Sequence, residues 1–385
     1  MKFEKLDSSV IKDISNDEPE WFVSDRLRSL ELFNQAKDDS FTYGLTMKTD
    51  ISKINVSDYS SKMNLVIKNK DDRIIVKDFK EAFNDESDLI KKYFMKSIKT
   101  KMELLHRSLV QNGLLIYIPR NVKVKKELIL DYEFLNNSFD HILIVADINS
   151  EINVIEKLTS NEVFRSNIVE IYAKDNSKVN FYSLQDLDEN SNNFSIKRSF
   201  VGKDATCNFF SFDFGSLLNF NNVYSELVDE GANSKIYETY FSNSNQQFNL
   251  ACSMHHKSNN TNSNIYTKGV LDDKSNTIYR GLVKIYENAE NSNGYQKEDA
   301  LILSEDSKAD SIPNLEINNY DVKCSHGSSI GHIDKDKLFY LMSRGISKED
   351  SVKLVVDGFL GEIIDYVSNE ELREELKIKV IEKIK

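Results

Sequence analysis

Cysteine is scarce in this chain. There are three in 385 residues: Cys207, Cys252 and Cys324. Their number is odd and they lie far apart, which argues against a disulfide framework. The sequence also has no CxxC pair of the kind that holds a structural zinc ion. Any cysteine chemistry must therefore come from single thiols.

A surplus of positive charge is missing as well. The chain has 50 Lys and Arg residues against 62 Asp and Glu residues, a formal net charge of -12. Proteins that coat nucleic acid or an anionic membrane usually carry a basic surplus, so we expect neither partner. The N-terminus lacks the apolar run of a secretory signal, and no stretch approaches the roughly 18 apolar residues of a membrane span. We therefore expect a cytoplasmic protein.

Common motifs of nucleotide and metal chemistry are absent too. There is no GxxxxGK[ST] loop and no GxGxxG after a strand, so the sequence shows no common phosphate-binding loop. HExxH does not occur either. Interpretations as a nucleotide-driven enzyme or a zinc hydrolase lose their usual support.

Hydrophobic periodicity divides the chain into three regions. We predict an N-terminal, mainly helical domain at 1–110, a β core domain at 111–332 and a C-terminal helical domain at 333–385.

The first region carries two helix signals. Ser24 is expected to cap a helix over RLRSLELFNQAK. The stretch DESDLIKKYFMKSIKTKMELLHRSLVQNG keeps a three-to-four spacing of apolar residues, which predicts one long helix that ends at Gly113. Short strands are expected at 42–56 and 64–69.

The middle region has the period of two that is typical of strands. Alternation begins at GLLIYIP and continues through KELILDYEF and HILIVADINSEINVIEKL. Polar turns rich in Asp, Asn, Ser and Gly precede alternating strands at intervals of about 25 to 45 residues. Such recurring corners predict stacked coils, a β-solenoid, rather than a sandwich. The end coils of a solenoid need covers, which the helical regions could supply.

Three helix starts are predicted in the last region, at Asp334, Ser347 and Ser368. The final helix places four apolar residues on one stripe: Leu372, Leu376, Val380 and Ile384. This stripe either packs on the chain's own core or docks a partner, and both interpretations stay open.

The stretch DVKCSHGSSIGHID places Cys324 and His326 two residues apart. If the segment is a strand, their side chains point to the same face. Thiolate sulfur and imidazole nitrogen are good ligands for iron, zinc and copper, and the neighbouring Lys323 would favour the thiolate. A tetrahedral or cluster site needs about four ligands, so a metal bound here must be completed by another chain or stay exchangeable.

The other thiols and imidazoles are weaker candidates. Cys207 and Cys252 are expected to be small buried hydrophobes. His255 and His256 are adjacent, so at most one points into any single site, and a hydrogen-bonded structural histidine is the simpler interpretation. His332 is expected in a loop.

Several stretches together resemble the SufB and SufD subunits of the SUF iron-sulfur cluster assembly system, and SufD most closely. They are EPEWF, NGLLIYIPRNV, YTKGVLDD, YRGLVKI, NGYQKEDALILSEDSKADSIPNLEI, DVKCSHGSSIGHIDKDKLFYLMSRGI and DGFLGEII. The similarity runs almost continuously over 250–365. It implies a mainly β fold, a right-handed parallel β-helix flanked by N-terminal and C-terminal helical regions.

The resemblance also implies a scaffold subunit that is not itself an enzyme. It implies pairing with a SufB-like subunit through the β-helix and docking of a SufC-like ATPase on the C-terminal helices. Cys324 and His326 fall in the family's CxH element, which implies ligands for iron or a nascent cluster at the subunit interface. The cofactor would then be a transient iron or iron-sulfur cluster shared with the partner, with none tightly bound to the isolated chain.

Two departures favour SufD over SufB. The chain reads HGSS where SufB-like chains tend to read HEAT, and VIEKLTSNEV lacks the cysteine through which SufB-like chains receive sulfur. A homodimeric SufB/SufD-like scaffold stays open. So do a β-helix that binds or cleaves carbohydrate and a hydrolase with Cys324 as nucleophile, although no paired carboxylates and no group to orient His326 are apparent.

Overall fold

The computed structural model describes residues 6–37, 61–98 and 100–384. In this part the chain forms a two-sheet β-solenoid with helices at both ends, so the expected mainly β solenoid is confirmed. The helices are α1 Ser9–Ile14, α2 Glu20–Gln35, α3 Phe79–Asp85, α4 Ser87–Tyr93, α5 Lys101–Leu109, α6 Lys335–Ser343, α7 Lys348–Ile364 and α8 Glu370–Lys383. The strands are β1 Met63–Lys68, β2 Ile75–Asp78, β3 Asn112–Ile118, β4 Leu128–Phe134, β5 Ser138–Ala146, β6 Glu151–Ser160, β7 Phe164–Ala173, β8 Lys178–Asp186, β9 Asn192–Val201, β10 Thr206–Asp213, β11 Leu218–Leu227, β12 Asn233–Ser242, β13 Gln247–His256, β14 Asn262–Leu271, β15 Asn276–Ile285, β16 Ser292–Ile302, β17 Lys308–Ile317 and β18 Val322–His332.

Successive strands alternate between two sheets. Sheet A contains β1 and the even-numbered strands from β4 to β18, and sheet B contains β2 and the odd-numbered strands from β3 to β17. Neighbours within a sheet run parallel, except that β1 and β2 pair antiparallel with the first strand of their sheets. Leu128 pairs with Val154 and Asn276 with Lys308, so one coil takes 26 to 32 residues.

The first two strands extend the solenoid at its N-terminal end. β1 confirms the strand expected at 64–69. The strand expected at 42–56 lies outside the described residues. β1 and β2 thus add Met63–Lys68 and Ile75–Asp78, which belong to the predicted N-terminal region, to the two sheets.

The main hydrophobic core lies in the lumen between the two sheets. Every second residue of a strand points into it; in β8 these include Val179 and Phe181, both fully buried. The register repeats from coil to coil, so that Phe181 pairs with Phe209 and Phe209 with Ile236. Parallel in-register strands therefore build columns of side chains that run along the solenoid.

The N-terminal helices cover the outer face of sheet B. An aromatic cluster that includes Phe22 packs there. Beneath it lies a buried polar cluster, in which Arg198 Nη2 is 2.6 Å from Glu103 Oε1. In the same cluster His141 Nε2 is 3.2 Å from Glu170 Oε2, and burial lowers the pKa of His141. Because a buried charge without its partner is strongly destabilising, this cluster fixes α5 in one position on the sheet.

Helices α7 and α8 cover the outer face of sheet A. The four residues of the expected apolar stripe are all buried: Leu372, Leu376, Val380 and Ile384. They join a cluster with Tyr182 and Phe210, which point outward from β8 and β10. Lys379 pairs with Asp186 at 2.6 Å. Of the two interpretations left open for the stripe, packing on the chain's own core is the one observed.

Helix α2, the first helix predicted from the sequence, begins earlier than expected. α2 starts at Glu20 with Pro19 at its N-cap position, so Ser24 lies inside the helix and the predicted cap is wrong. The fixed φ of proline suits a helix start, and proline loses no backbone donor there. The early start brings Phe22 into the buried face of the helix.

The single long helix expected over 85–113 is also wrong. The segment forms α4 and α5, with Met95 between them at a φ of 44°. Thr100 opens α5 through a capping box with Glu103. Gly113 does not end a helix but lies in β3. The apolar spacing hid the break because both short helices bury residues at the same three-to-four intervals.

Two of the three predicted C-terminal helix starts are confirmed. Asp334 caps α6 and Ser347 caps α7, each by accepting hydrogen bonds from the first turn. Asn369, not Ser368, caps α8. Ser368 is 3.1 Å from the hydroxyl of Tyr182 instead, which ties the helix start to sheet A. Among the described helices, none is long and apolar enough to cross a membrane.

Substitution of Gly269 tests how tightly the side chains in the lumen are packed. A Cβ at this position in β14 would lie 1.8 Å from Cζ of the buried Tyr240. We expect Gly269→Ala to lower the free energy of unfolding by about 1–3 kcal/mol, because the ring must move within a filled core. Urea denaturation followed by circular dichroism measures this.

Gly358 in α7 is the matched control. A Cβ there meets no atom within 4 Å. Gly358→Ala should leave the stability unchanged or raise it by up to about 1 kcal/mol, because alanine favours the helix. Equal effects of the two substitutions would show that the lumen is not closely packed at Tyr240.

Candidate metal and cluster site

Strand β18 carries the candidate site at the open end of the solenoid. It is the last strand of sheet A and, among the described strands, pairs only with β16. Cys324 is in register with Gly294, and His326 with Gln296. The segment is thus a strand, as the same-face argument required, and Cys324 and His326 lie on its lumen side.

The thiol of Cys324 is half-buried. It packs against the edge of the lumen core, and a Cβ built on Gly294 would lie 3.4 Å from its Sγ. Burial raises the pKa of Cys324 to about 11. Lys323 is exposed on the opposite face of the strand, so the expected promotion of the thiolate by this lysine is wrong. At neutral pH the thiol is therefore protonated.

His256 lies on the opposite sheet at the level of Ser263, which is two strands below Cys324 in the register. A Cβ on Gly294 would also be 3.4 Å from its Nε2. The ring is buried between two hydroxyls, with Nδ1 2.8 Å from Thr261 Oγ1 and Nε2 2.7 Å from Ser263 Oγ. Burial lowers the pKa of His256 to about 4, so the ring is neutral at pH 7. The prediction of a hydrogen-bonded structural histidine is confirmed.

His255 and His332 lie away from the pair. His255 points outward from sheet B, where its ring centroid is 4.6 Å from that of Tyr224. His332 is the last residue of β18, so its placement in a loop is wrong. At about 3.3 Å per residue, it lies roughly 26 Å along the strand from Cys324 and cannot share a metal ion with it.

Serine and glutamate side chains line the lumen beyond His326. Ser328 Oγ donates to Glu298 Oε2 at 2.9 Å and is 2.8 Å from Ser311 Oγ of β17. Burial raises the pKa of Glu298. These contacts join the two edge strands, so the mouth of the lumen has a defined shape next to the candidate ligands.

The other two thiols are fully buried, as expected. Cys207 belongs to the apolar lumen core, and burial raises its pKa to about 12. Cys252 differs, because its Sγ donates to Glu238 Oε2 at 3.1 Å. Burial raises the pKa of Glu238 to about 8. Sequence reasoning missed this pair: in KIYETYF nothing shows whether Glu238 points inward or outward.

The candidate ligands number two. Among the described residues, no group of three or more His, Cys, Asp or Glu side chains is arranged to hold a metal ion. A thiol and an imidazole on one face can bind a borderline transition metal such as iron, but they leave other coordination positions open. This arrangement suits an exchangeable site that another chain completes.

The arrangement does not suit a cysteine hydrolase. A nucleophilic cysteine has a lowered pKa, whereas that of Cys324 is raised. Residues 327–331 read GSSIG and match GxSxG, but they lie inside β18 instead of on the strand-to-helix turn that exposes a nucleophilic serine.

A family model described as "SUF system FeS cluster assembly, SufBD core domain" matches residues 131–359, more than half of the chain. The chain belongs to the SufBD family. A second model, the "SufBD protein N-terminal region", matches residues 45–130. The resemblance seen in the sequence is thereby confirmed at the level of the family, and the role of this SufBD protein lies in iron-sulfur cluster assembly.

Curated SufBD relatives span nearly the whole chain. An iron-sulfur cluster assembly SufBD family protein of Staphylococcus saprophyticus is 26% identical over 409 aligned residues, which cover 92% of this chain and 88% of the relative. A protein of the same description from Staphylococcus aureus strain MRSA252 is 27% identical with the same coverage. The similarity therefore extends over most of the chain and beyond the solenoid alone.

Alkylation of Cys324 tests its burial and raised pKa. The rate with iodoacetamide should rise about tenfold per pH unit between pH 7.5 and 9.5, because the thiolate fraction grows in this way below the pKa. Peptide mapping by mass spectrometry gives the rate. Cys207 and Cys252 are internal controls that should react only after unfolding. A rate that levels off near pH 9 would mean that the thiol has an ordinary pKa.

Proposed function

We propose that this SufBD protein is a SufD-like scaffold subunit that presents Cys324 and His326 to iron or a nascent iron-sulfur cluster at an interface with a SufB-like subunit. The observation that carries the proposal is the position of this pair on the lumen face of an edge strand, at the open end of the solenoid. A second chain can reach the site there. The cluster is cargo in transit, and the subunit holds it without catalysing a reaction.

The exposed edge supports a partner at this end. β17 and β18 form the last coil, and among the described strands none continues their sheets. Native proteins usually cover such edges, because unpaired N–H and C=O groups invite pairing with another chain. Ile317 and Ile330 expose apolar surface nearby, and Tyr320 is fully exposed. These features fit a second β-helix that packs end to end.

The thiol chemistry fits transient loading. Burial keeps Cys324 protonated at neutral pH, so a metal ion that binds its sulfur must displace the proton. This cost disfavours tight binding to the chain alone. A partner that supplies the remaining ligands would offset the cost, so we infer that stable loading requires the assembled interface.

The distribution of cysteines supports a SufD-like role over a SufB-like one. Cys207 and Cys252 are fully buried with raised pKa values, so neither is placed to accept sulfur from a donor protein. The segment VIEKLTSNEV carries no cysteine. Sulfur would therefore enter through the partner subunit.

A homodimer is the second candidate, and the same exposed edge favours it. Two copies related by a two-fold axis would place like ends together. Two Cys324 thiols and two His326 rings would then provide four ligands, the number that a tetrahedral site needs. Light scattering of the chain alone distinguishes a stable dimer from a monomer that waits for a different subunit.

We place the ATPase contact on α6. The apolar stripe of α8 is buried, although Ile378 and Ile381 on another side of this helix are exposed. The largest exposed aromatic side chains beside a cavity lie on α6. Phe339 is 73% exposed, with Tyr340 and Met342 beside it. A cavity of about 400 Å³ next to them is lined mainly by apolar side chains, among them Leu303 and Leu338. An exposed aromatic residue beside an apolar cavity is typical of a protein-binding site.

Phe339→Ser tests this contact. It should lower the affinity for a SufC-like ATPase subunit by tenfold or more, because an exposed aromatic anchor is lost. Its thermal unfolding should stay unchanged. Isothermal titration calorimetry gives the affinity. Val66→Ser in β1 is the matched control, because Val66 is also exposed but lies at the other end of the solenoid. Equal affinities of both variants would exclude α6 as the contact.

The ligand role is tested in the assembled complex. The chain is purified anaerobically with SufB-like and SufC-like subunits, and iron and sulfide are assayed for wild type, Cys324→Ser and His326→Ala. Both variants should assemble normally but hold less than about half of the iron and sulfide, because each loses a ligand to the metal. His332→Ala, on the same strand but far from the pair, should match wild type.

Two other results would change the assignment. Unchanged iron and sulfide in both variants would leave a purely architectural subunit. Failure of the wild-type chain to assemble with either subunit would remove the SufBCD-type interpretation itself.

A further inference from the structure

Gln296 is a buried amide without a partner, one layer below the candidate ligands. Its side chain is 1% exposed. Neither Oε1 nor Nε2 has a hydrogen-bond partner among the described residues. Leaving both polar atoms of an amide unpaired away from water is costly, and native proteins do so rarely. A buried amide of this kind points to a ligand.

The column of side chains that contains Gln296 changes from apolar to polar residues at the open end of the solenoid. In the lumen of sheet A, Phe181, Phe209, Ile236 and Ile265 stack in register through four coils. The next two positions of the same column are Gln296 and His326. An apolar side chain at position 296 would continue the core at no cost, so the polar residue there is not explained by packing.

Gly281 makes room for the amide. It lies in β15 on the opposite sheet, and a Cβ there would be 2.6 Å from Oε1 of Gln296. The side chain of Gln296 therefore crosses the lumen and rests against the backbone of sheet B. The amide is held at a fixed height beneath His326, and beside it Gly294 is in register with Cys324.

We propose that Gln296 is a further binding residue of the site, whose amide N–H donates a hydrogen bond to sulfur of the iron-sulfide unit that Cys324 and His326 hold. This inference rests on the proposed function, because it takes those two residues as ligands. Hydrogen bonds to the sulfur atoms stabilise iron-sulfur clusters and tune them. The site thus extends one coil into the lumen.

The stability of the full chain without iron provides the first test. Gln296→Met keeps the length of the side chain and removes two unpaired polar atoms, so its melting temperature should be equal to or higher than that of wild type. Gln246 is the matched control. It is equally buried, but Nε2 donates to Ser216 O at 2.8 Å and Oε1 accepts from Asn243 N at 2.9 Å. Gln246→Met should lower the melting temperature.

Retention of iron provides the second test. The complex with SufB-like and SufC-like subunits is reconstituted with Fe²⁺ and sulfide, and iron release to a chelator is followed through the visible absorption of the cluster. Gln296→Met should release iron roughly tenfold faster or more, as is typical when a residue that supports metal ligands is lost. Gly281→Ala, which leaves the amide intact but displaces it, should act in the same direction.

The outcomes separate this inference from the proposed function. Faster release from Gln296→Met without a loss of stability supports it. A fall in melting temperature as large as that of Gln246→Met would show a structural amide and overturn it. So would unchanged release from Gln296→Met when Cys324→Ser releases iron faster. If Cys324→Ser also left release unchanged, the proposed function would fail, and this inference with it.

Discussion

Parallel in-register pairing between coils is the constraint on which the rest of the molecule depends. Each strand from β4 to β18 finds its neighbour in the same sheet one coil away, and the pairing fixes which residues stack above one another. If one residue of a strand points into the lumen, every residue in register with it does so too, and together they form one column. Apolar columns stabilise the solenoid, and the last coil, which lacks a successor among the described strands, is free to carry polar groups. Cys324, Gln296 and His326 lie in that last part of the lumen.

The N-terminal and C-terminal helices are attached to the solenoid by different kinds of interaction. The N-terminal helices are fixed to sheet B by buried charges, among them Arg198 and Glu103 at 2.6 Å. The C-terminal helices cover sheet A mostly through apolar contacts, while α6 keeps Phe339 in solvent. Charges that must be paired in the interior define one geometry closely. The apolar surface of α6 instead suits an interaction that forms and breaks.

Local signals explain what the sequence could predict. The common face of Cys324 and His326 follows from alternation within three residues, and no distant contact is needed to infer it. The solenoid followed from turns at recurring intervals. The sequence could not predict which polar side chains point into the lumen. The inward direction of Gln296 or Glu238 depends on pairing with strands 26 to 32 residues away. The break at Met95 was missed for a related reason, since its backbone N–H is held by Glu170, far along the chain.

The C-terminal helices also set the order in which the chain can complete itself during synthesis. Lys379 meets Asp186, and Ser368 meets Tyr182, so the last forty residues reach back to strands made roughly two hundred residues earlier. Successive coils can stack as they leave the ribosome, because each contacts only its neighbours. The outer aromatic face of sheet A, however, stays uncovered until α7 and α8 emerge. Until then the aromatic residues of that face are exposed to contacts with other chains.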